Sequence, residues 1–468
     1  MRIADVPVPA EWAAETLVNA EFHGDRDASA PMTWSQQVMW RAAARSTNHH
    51  LFMNLRRTVP LSARARVEVP AAARAIGALL SRHGALRTRV RPGPDGLRQE
   101  EAVAGRAPIL VVDGDGDGSQ AAEQLVRRLG DVAFDHAGEW PQRFGLVLAD
   151  GLVRQVVVVF SHATVDAYAV DVVLRDLRLL LLRGSVPDPA GLQSVDVGLT
   201  QHGPDRARSE RAVRHWLHQY ERLPRDSVPM PGPELVPRIR RGVLVSTALA
   251  DAARLIAARH RVSDSAVLLA GMAALAAGRS GQRSCGLFNM AHNRFRAEYR
   301  SAVANLGQIG FSVLDVADRP SFDALLPRIW RVSLDSLRHA YYDPAVLRQA
   351  FEEAGYDYLT AFLPYYYFND VRLPATGGGA GVPEVTEAQL RAAAQRSAFS
   401  WTAGLDVASW HLLTHVVDEP GGVGVTFSVD TRFLPPESIE PFLRDLEELL
   451  IEAAYREVPW PWQPAVRG

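Results

Sequence analysis

Four histidines in this chain are followed four positions later by an aspartate: His23/Asp27, His162/Asp166, His260/Asp264 and His339/Asp343. An imidazole with one nitrogen free can take a proton from a nucleophile near neutral pH. An aspartate so spaced can fix the local backbone or pair with an arginine. Spacing alone does not choose among the copies, but context does. Only His162 directly follows a long apolar run, "VVVVF" at 156–160, and precedes a strongly apolar helical pattern. The His260 copy falls at a junction between two helical segments. Two readings of His162 stand side by side: a base facing a cavity, or a histidine bonded to backbone at a strand end.

The elements that would position this pair are legible around it. Four valines and a phenylalanine predict one buried strand that stops at Ser161-His162. After it the period changes: Val170, Val173, Leu174, Leu177, Leu180 and Leu181 recur at helical spacing, and Gly184 is a natural stop. His162 is therefore expected at the carboxyl end of a strand, where a following loop can hold it at the mouth of a crevice.

Strands and helices alternate irregularly in both halves, which predicts an α/β or α+β architecture. Thr33 and Gln36 in "TWSQQVMW" have capping-box spacing. "PAAARAIGALLSRHGALRTRV" predicts a helix through about His83, capped at Gly84, with Arg87 to Val90 entering a strand. Two breaker-rich stretches, from Gly184 and from Asp226, flank a charged helix at about Arg206 to Glu221. They divide the chain into an amino-terminal lobe at 1–190, a linker and connecting helix at 191–240, and a carboxyl-terminal lobe at 241–468. In the second lobe Ser263 caps a long apolar helix, "GVGVTFSVDTRF" alternates as a strand, and "PESIEPFLRDLEELLIEAAY" is an amphipathic helix.

At 468 residues, 47% apolar and 22% charged, with net charge −2, the chain reads as a soluble globular protein with no electrostatic case for nucleic acid or membrane surfaces. Every basic residue is arginine, which reads as codon bias. The single cysteine, Cys285, excludes an internal disulfide and suits a reducing cytoplasm; its neighbours predict a buried strand and a structural thiol. No signal-peptide pattern opens the chain, and the longest apolar stretch, from Ser265, is shorter than the ~20 residues that span a bilayer. Asp113, Asp115, Asp117 and Gly118 copy the start of a calcium loop, but Gln124 stands where the bidentate glutamate belongs and a strand precedes it, so a solvated turn is expected. The adjacent His49-His50 lacks other ligands, so no metal site is expected. "TGGGAG" from Thr376 lacks the lysine of a phosphate loop, and Tyr365 to Phe368 reads as core strand.

Taken in order, these segments resemble the condensation domains of nonribosomal peptide synthetases, within the chloramphenicol-acetyltransferase-like acyltransferases. "TWSQQVMW" resembles the family's Ser-x-Ala-Gln-x-x-x-Trp element, and "LLSRHGALRTRV" its Arg-His-Glu-x-Leu-Arg-Thr element. "SHATVDA" is similar to the His-His-x-x-x-Asp-Gly active-site element, with the second histidine at His162 and the aspartate at Asp166. "AHNRFRAEYRSAVANLGQIGFSVLDV" resembles the Gly-Arg-x-Arg-x-Glu segment and the strand after it, "HAYYDPAVL" loosely the next element, and "VTFSVDTRFLPPESIEPFLRDLEELL" the usual carboxyl end. Ser161 replaces the family's first histidine, and Ala167 the glycine after the aspartate, adding a methyl near the acceptor's path. The family's Phe-Val-Asn-Thr and Arg-Asp-x-Ser-Arg-Asn-Pro elements are not found.

The resemblance implies two lobes arranged in a V, as a pseudo-dimer, with His162 in a central tunnel. It implies a free-standing acyltransferase that joins an acyl or aminoacyl thioester to an amine or hydroxyl in specialised metabolism. The donor would be carried by the phosphopantetheine arm of a carrier protein, or by coenzyme A; no cofactor or metal is bound, carriers and a small-molecule acceptor are the partners, and a monomer suffices. His162 would be the catalytic base. Asp166, supported by Arg294 or else Arg296, and Ser161 would brace the loop. The other readings are a catalytically silent relative that docks carriers or recruits other enzymes, favoured by the changes at Ser161 and Ala167, and an O-acyltransferase that uses coenzyme A directly.

Overall fold

In the computed structural model the chain is described at residues 16–44, 53–94, 96–223, 232–233, 235–281, 283–358, 365–372, 384–406, 408 and 410–462. It divides into two units, one formed by Met1–Ala207 with His292–Gly307 and the other by Arg208–Ala291 with Gln308–Gly468.

The first unit contains β1 (Leu17–His23), β2 (Ala28–Pro31), α1 (Trp34–Ala44), β3 (Asn54–Pro60), α2 (Val69–Arg82), β4 (Thr88–Gly93), β5 (Gly96–Glu101), β6 (Ala104–Asp113), α3 (Ser119–Gly130), β7 (Gln142–Ala149), β8 (Leu152–Ser161), α4 (Ala167–Arg183) and α5 (Ser194–His202). Its main sheet has the order β1-β6-β7-β8-β3, antiparallel throughout except for β6 beside β7. The valine run lies in β8, flanked on both edges, and Val156 to Phe160 are fully buried. Alternate valines serve two cores. Val156, Val158 and Phe160 pack with α2 and α4 residues such as Ile76, Leu80, Val173 and Leu177, while Val157 and Val159 face Leu125 and Leu129 of α3. A continuous apolar run is what a strand covered on both faces requires.

The second unit contains α6 (Arg206–Glu221), β9 (Ile239–Ser246), α7 (Thr247–His260), α8 (Asp264–Ser280), β10 (Ser284–Ala291), β11 (Gln308–Asp315), α9 (Phe322–Arg338), α10 (Pro344–Glu353), β12 (Tyr366–Asp370), α11 (Glu387–Ala394), β13 (Ala398–Leu405), β14 (Leu412–Glu419), β15 (Gly422–Asp430) and α12 (Ile439–Tyr455). One seven-stranded sheet, β11-β10-β12-β14-β15-β9-β13, carries the unit. Ser263 caps α8 by accepting the Ala266 N–H, and α8 lies in the core with α7, α9 and α12. No single helix among the described residues is long and apolar enough to cross a membrane.

Two boundaries differ from the sequence expectation. Residues 191–207 and 292–307 group with the first unit, although the latter lie inside the stretch expected as one carboxyl-terminal lobe. The cause is long-range polar bonding: Ser194 bonds Gln99 of β5 and Asp196 pairs with Arg26 in the turn between β1 and β2, and Arg294, Asn305 and Leu306 bond to residues around Asp166. His83 is the C-cap of α2, and Gly84 opens a 3-10 turn up to Arg87. At residues 113–118 the aspartates form an exposed turn leading into α3, whose N-cap Gly118 has φ 75°, a value glycine adopts without strain. The His49-His50 pair, the loop from Thr376, the first fifteen residues and most of the stretch from Asp226 lie outside the described residues.

Candidate active site

Between the last residue of β8 and the first of α4 lie only residues 162–166, and bonds from distant segments hold this loop. The His162 N–H donates to the Met53 carbonyl at 2.7 Å, and the His162 carbonyl accepts from Asn305 Nδ2 at 2.5 Å. The Thr164 and Val165 N–H groups both donate to the Ser161 carbonyl, making one tight turn. That turn places the Val165 carbonyl 2.9 Å from His162 Nδ1. A carbonyl can only accept, so Nδ1 carries a proton, and of the two neutral tautomers the one with its lone pair on Nε2 is selected. The ring is half-buried. The structure shows the histidine bonded to backbone at a strand end, and that bond fixes the tautomer a base would use.

Asp166 is the N-cap of α4, accepting the Ala169 N–H at 2.8 Å. The same carboxylate accepts both arms of the Arg294 guanidinium at 2.8 Å and the Leu306 N–H at 2.9 Å. Four accepted bonds replace the hydration that burial removes. The side chains of Arg294 and Asp166 are 1% and 9% exposed. Arg294 also donates to the His292 and Ala304 carbonyls and lies 4.3 Å over the Tyr168 ring. Arg296, the other candidate, pairs instead with Asp205.

Ser161 is buried, and its Oγ is hydrogen-bonded to His136 Nε2 at 2.6 Å while accepting the Ala163 N–H. A histidine thus does stand beside the loop, supplied from 25 residues upstream and held between Trp40 and Phe134. Ala167, at the first position of α4, is half-buried.

Two of the other motifs converge on the same helix and loop. His83 Nε2 lies 3.0 Å and Arg82 Nε 2.9 Å from Asp176 of α4. Burial outweighs the bond to Asp176 and moves the His83 pKa below the ordinary histidine value. Burial alone would raise Asp176, but bonds from His83, Arg175 and Arg82 outweigh it and hold the carboxyl at about 2. The capping box forms as its spacing predicts, with Thr33 N–H donating to Gln36 Oε1 and Gln36 N–H to Thr33 Oγ1. Thr33 Oγ1 in turn donates to the carbonyl of Asn305, whose side chain holds His162.

The remaining His-x-x-x-Asp copies serve other ends. His260 is near Asp323 and Asp264 pairs with Arg372, while His339 and Asp343 cap the end of α9 and the start of α10. Asn305, His136, Tyr168 and His292 escaped the sequence reading. Asn305 is 143 positions from His162 and has no spacing relation to it. Burial, and then the charge of Arg294, push the His292 pKa down, and its Nδ1 accepts the Arg294 N–H.

No family model matches the chain. A protein of Salinispora arenicola, described as a probable nonribosomal peptide synthetase, is 28% identical over 339 residues, which is 66% of this chain and 4% of that protein. A condensation domain described as mediating chain release from the enacyloxin polyketide synthase superposes with a TM-score of 0.72 at 16% identity, covering 93% of this chain and 85% of that one. The X-domain from teicoplanin biosynthesis, in its complex with OxyB, superposes with a TM-score of 0.65 at 15% identity, covering 92% and 94%. The strand–loop–helix that carries His162 and Asp166 therefore sits in a chain with the mixed α/β fold of the condensation domains.

Proposed function

We propose that the protein is a condensation-type acyltransferase, joining a thioester-bound acyl or aminoacyl group to an amine or hydroxyl. The observation that carries this reading is the His162 ring, whose Nδ1–H is given to the Val165 carbonyl so that Nε2 is left basic. Nε2 takes the proton of the acceptor as its nitrogen or oxygen attacks the thioester carbonyl. The carbon–sulfur bond then breaks, and the imidazolium returns the proton to the leaving thiolate. The Val165 carbonyl stabilises the imidazolium through the Nδ1–H throughout. A well-placed base of this kind contributes about 10²–10⁴-fold. Asp166 and Arg294 act as positioning residues, bracing the turn that orients the ring. The donor arm is phosphopantetheine on a carrier, with coenzyme A as the smaller alternative.

A second reading is a silent docking protein, favoured by Ser161 and Ala167 and by a structural neighbour that is seen in complex with another protein. The test is turnover of acyl and aminoacyl thioesters, on carrier proteins and on coenzyme A, by the wild type and by His162→Ala, with a panel of amine and alcohol acceptors. Product that falls at least about 100-fold in His162→Ala supports the base. Undiminished turnover in the variant overturns it, and carrier binding with no product from any pair establishes the docking reading.

A further inference from the structure

Within the second unit, α6 and the end of α9 bring together two histidines and a carboxylate that the acyl-transfer reading does not use. Asp335 is in the last turn of α9 and His339 is its C-cap, so the two share one helix face at the i, i+4 spacing. His215 comes from α6, and its ring stacks on that of His339 with centroids 3.9 Å apart and planes 9° from parallel. One nitrogen or oxygen from each of the three residues lies within 4.8 Å of the others. We propose that His215, Asp335 and His339 form a binding site for a divalent transition-metal ion of the zinc type, with three protein ligands and a fourth position open to water.

The hydrogen bonds of the two rings support the assignment. His215 Nε2 is 3.1 Å from the Phe311 carbonyl and His339 Nδ1 is 2.9 Å from the Asp335 carbonyl. Each carbonyl requires an N–H, so each ring keeps its other nitrogen, His215 Nδ1 and His339 Nε2, as a lone pair. This is the arrangement of metal-bound histidines, which give their second nitrogen to a carbonyl or carboxylate and present the first to the ion. His215 Nδ1 is already 3.7 Å from Asp335 Oδ2. Ligand atoms around a tetrahedral ion with bonds of about 2.0–2.2 Å are roughly 3.3–3.5 Å apart. His339 turns Nδ1, not Nε2, toward Asp335, at 3.4 Å from Oδ1, so the two stacked rings must turn out of their parallel planes for His215 Nδ1 and His339 Nε2 to meet one ion.

Charge and access point the same way. A cation at the carboxyl end of α9 meets the negative end of the helix dipole. The His215 side chain is 10% exposed and Asp335 is 45% exposed, so an ion has a path from solvent onto a mostly enclosed imidazole pair. Bound there, it would clamp α6 to α9.

The test uses untagged full-length protein, stripped with a chelator and titrated with Co²⁺ and then Zn²⁺. The expected result is one equivalent of Co²⁺ with visible d–d absorption, displaced by Zn²⁺. His339→Ala and Asp335→Ala should weaken binding at least about 100-fold, beyond the roughly 10–100-fold loss that follows removal of an outer-shell partner. Without metal, those variants should match the metal-free wild type in circular dichroism and urea midpoint. The double variant His49→Ala/His50→Ala should retain the full spectrum. No d–d band, a band unchanged in His339→Ala, or a band lost only in the His49/His50 variant would overturn the assignment.

Discussion

Removing Arg294 or Asp166 should cost unequal amounts of stability, and the order follows from who is left without a partner. Replacing one member of a buried ion pair typically costs about 3–5 kcal/mol, because the other charge stays buried. In Arg294→Ala the Asp166 carboxylate keeps two backbone donors, Ala169 N–H and Leu306 N–H, which places this variant near the lower end, about 3 kcal/mol. In Asp166→Ala the guanidinium keeps the His292 and Ala304 carbonyls, one at 3.5 Å on Ala302 and the face of the Tyr168 ring. The Leu306 N–H is also orphaned and α4 loses its cap, a further loss of about 1 kcal/mol for the cap alone. Asp166→Ala should therefore exceed Arg294→Ala by about 1–2 kcal/mol. The double variant should lose less than the sum of the two by more than the ~0.5 kcal/mol within which independent sites add. Urea unfolding followed by tryptophan fluorescence, fitted with a separate transition for each unit, gives the energies, and hydrogen exchange at the Leu306 amide reports the local bond. Additive losses, or Arg294→Ala as the more damaging change, would refute the assignment of the carboxylate as the shared acceptor.

Two further outcomes concern buried titratable groups in the second unit. Burial, reinforced by Arg241, lowers His415 of β14 to about 4. The unfolded chain takes up a proton near pH 6.5 that the folded state refuses, so stability is lost as pH falls from about 6.5 to 4, by at most about 3 kcal/mol. The difference between urea midpoints at pH 7 and pH 5 should shrink in His415→Gln, and an unchanged difference would refute the argument. Burial also pushes the Cys285 thiol up to about 12. At pH 8 the native protein should react with a thiol reagent about 1,000-fold more slowly than a free thiol, with full reactivity returning in denaturant. Fast native labelling would show that β10 opens readily.

The sequence by itself determined what lies within one element or one turn. The valine run, the stop at Ser161, the helix from Ala167 to its αL end at Gly184 and the caps at Thr33 and Ser263 depend on side chains a few residues apart. Periodicity and capping report such distances directly. His162 and Asp166 stood out because this copy alone joins a buried strand to an apolar helix.

Only the tertiary structure decided which distant groups complete that junction. Arg294 and Arg296 are two residues apart, yet one meets Asp166 and the other Asp205, a choice made by the path of the chain after β10. Return of residues 292–307 to the first unit is decided in the same way, and so is Asn305 holding the His162 carbonyl across 143 positions. His136 stands against Ser161 because its loop between α3 and β7 passes the end of β8. The stacking of His215 on His339 joins two helices with residues 222–321 between them. The physical reason is common to all of these. A strand or helix pattern follows from the backbone geometry of neighbouring residues, whereas a buried polar group takes whichever partner the packing of remote segments delivers.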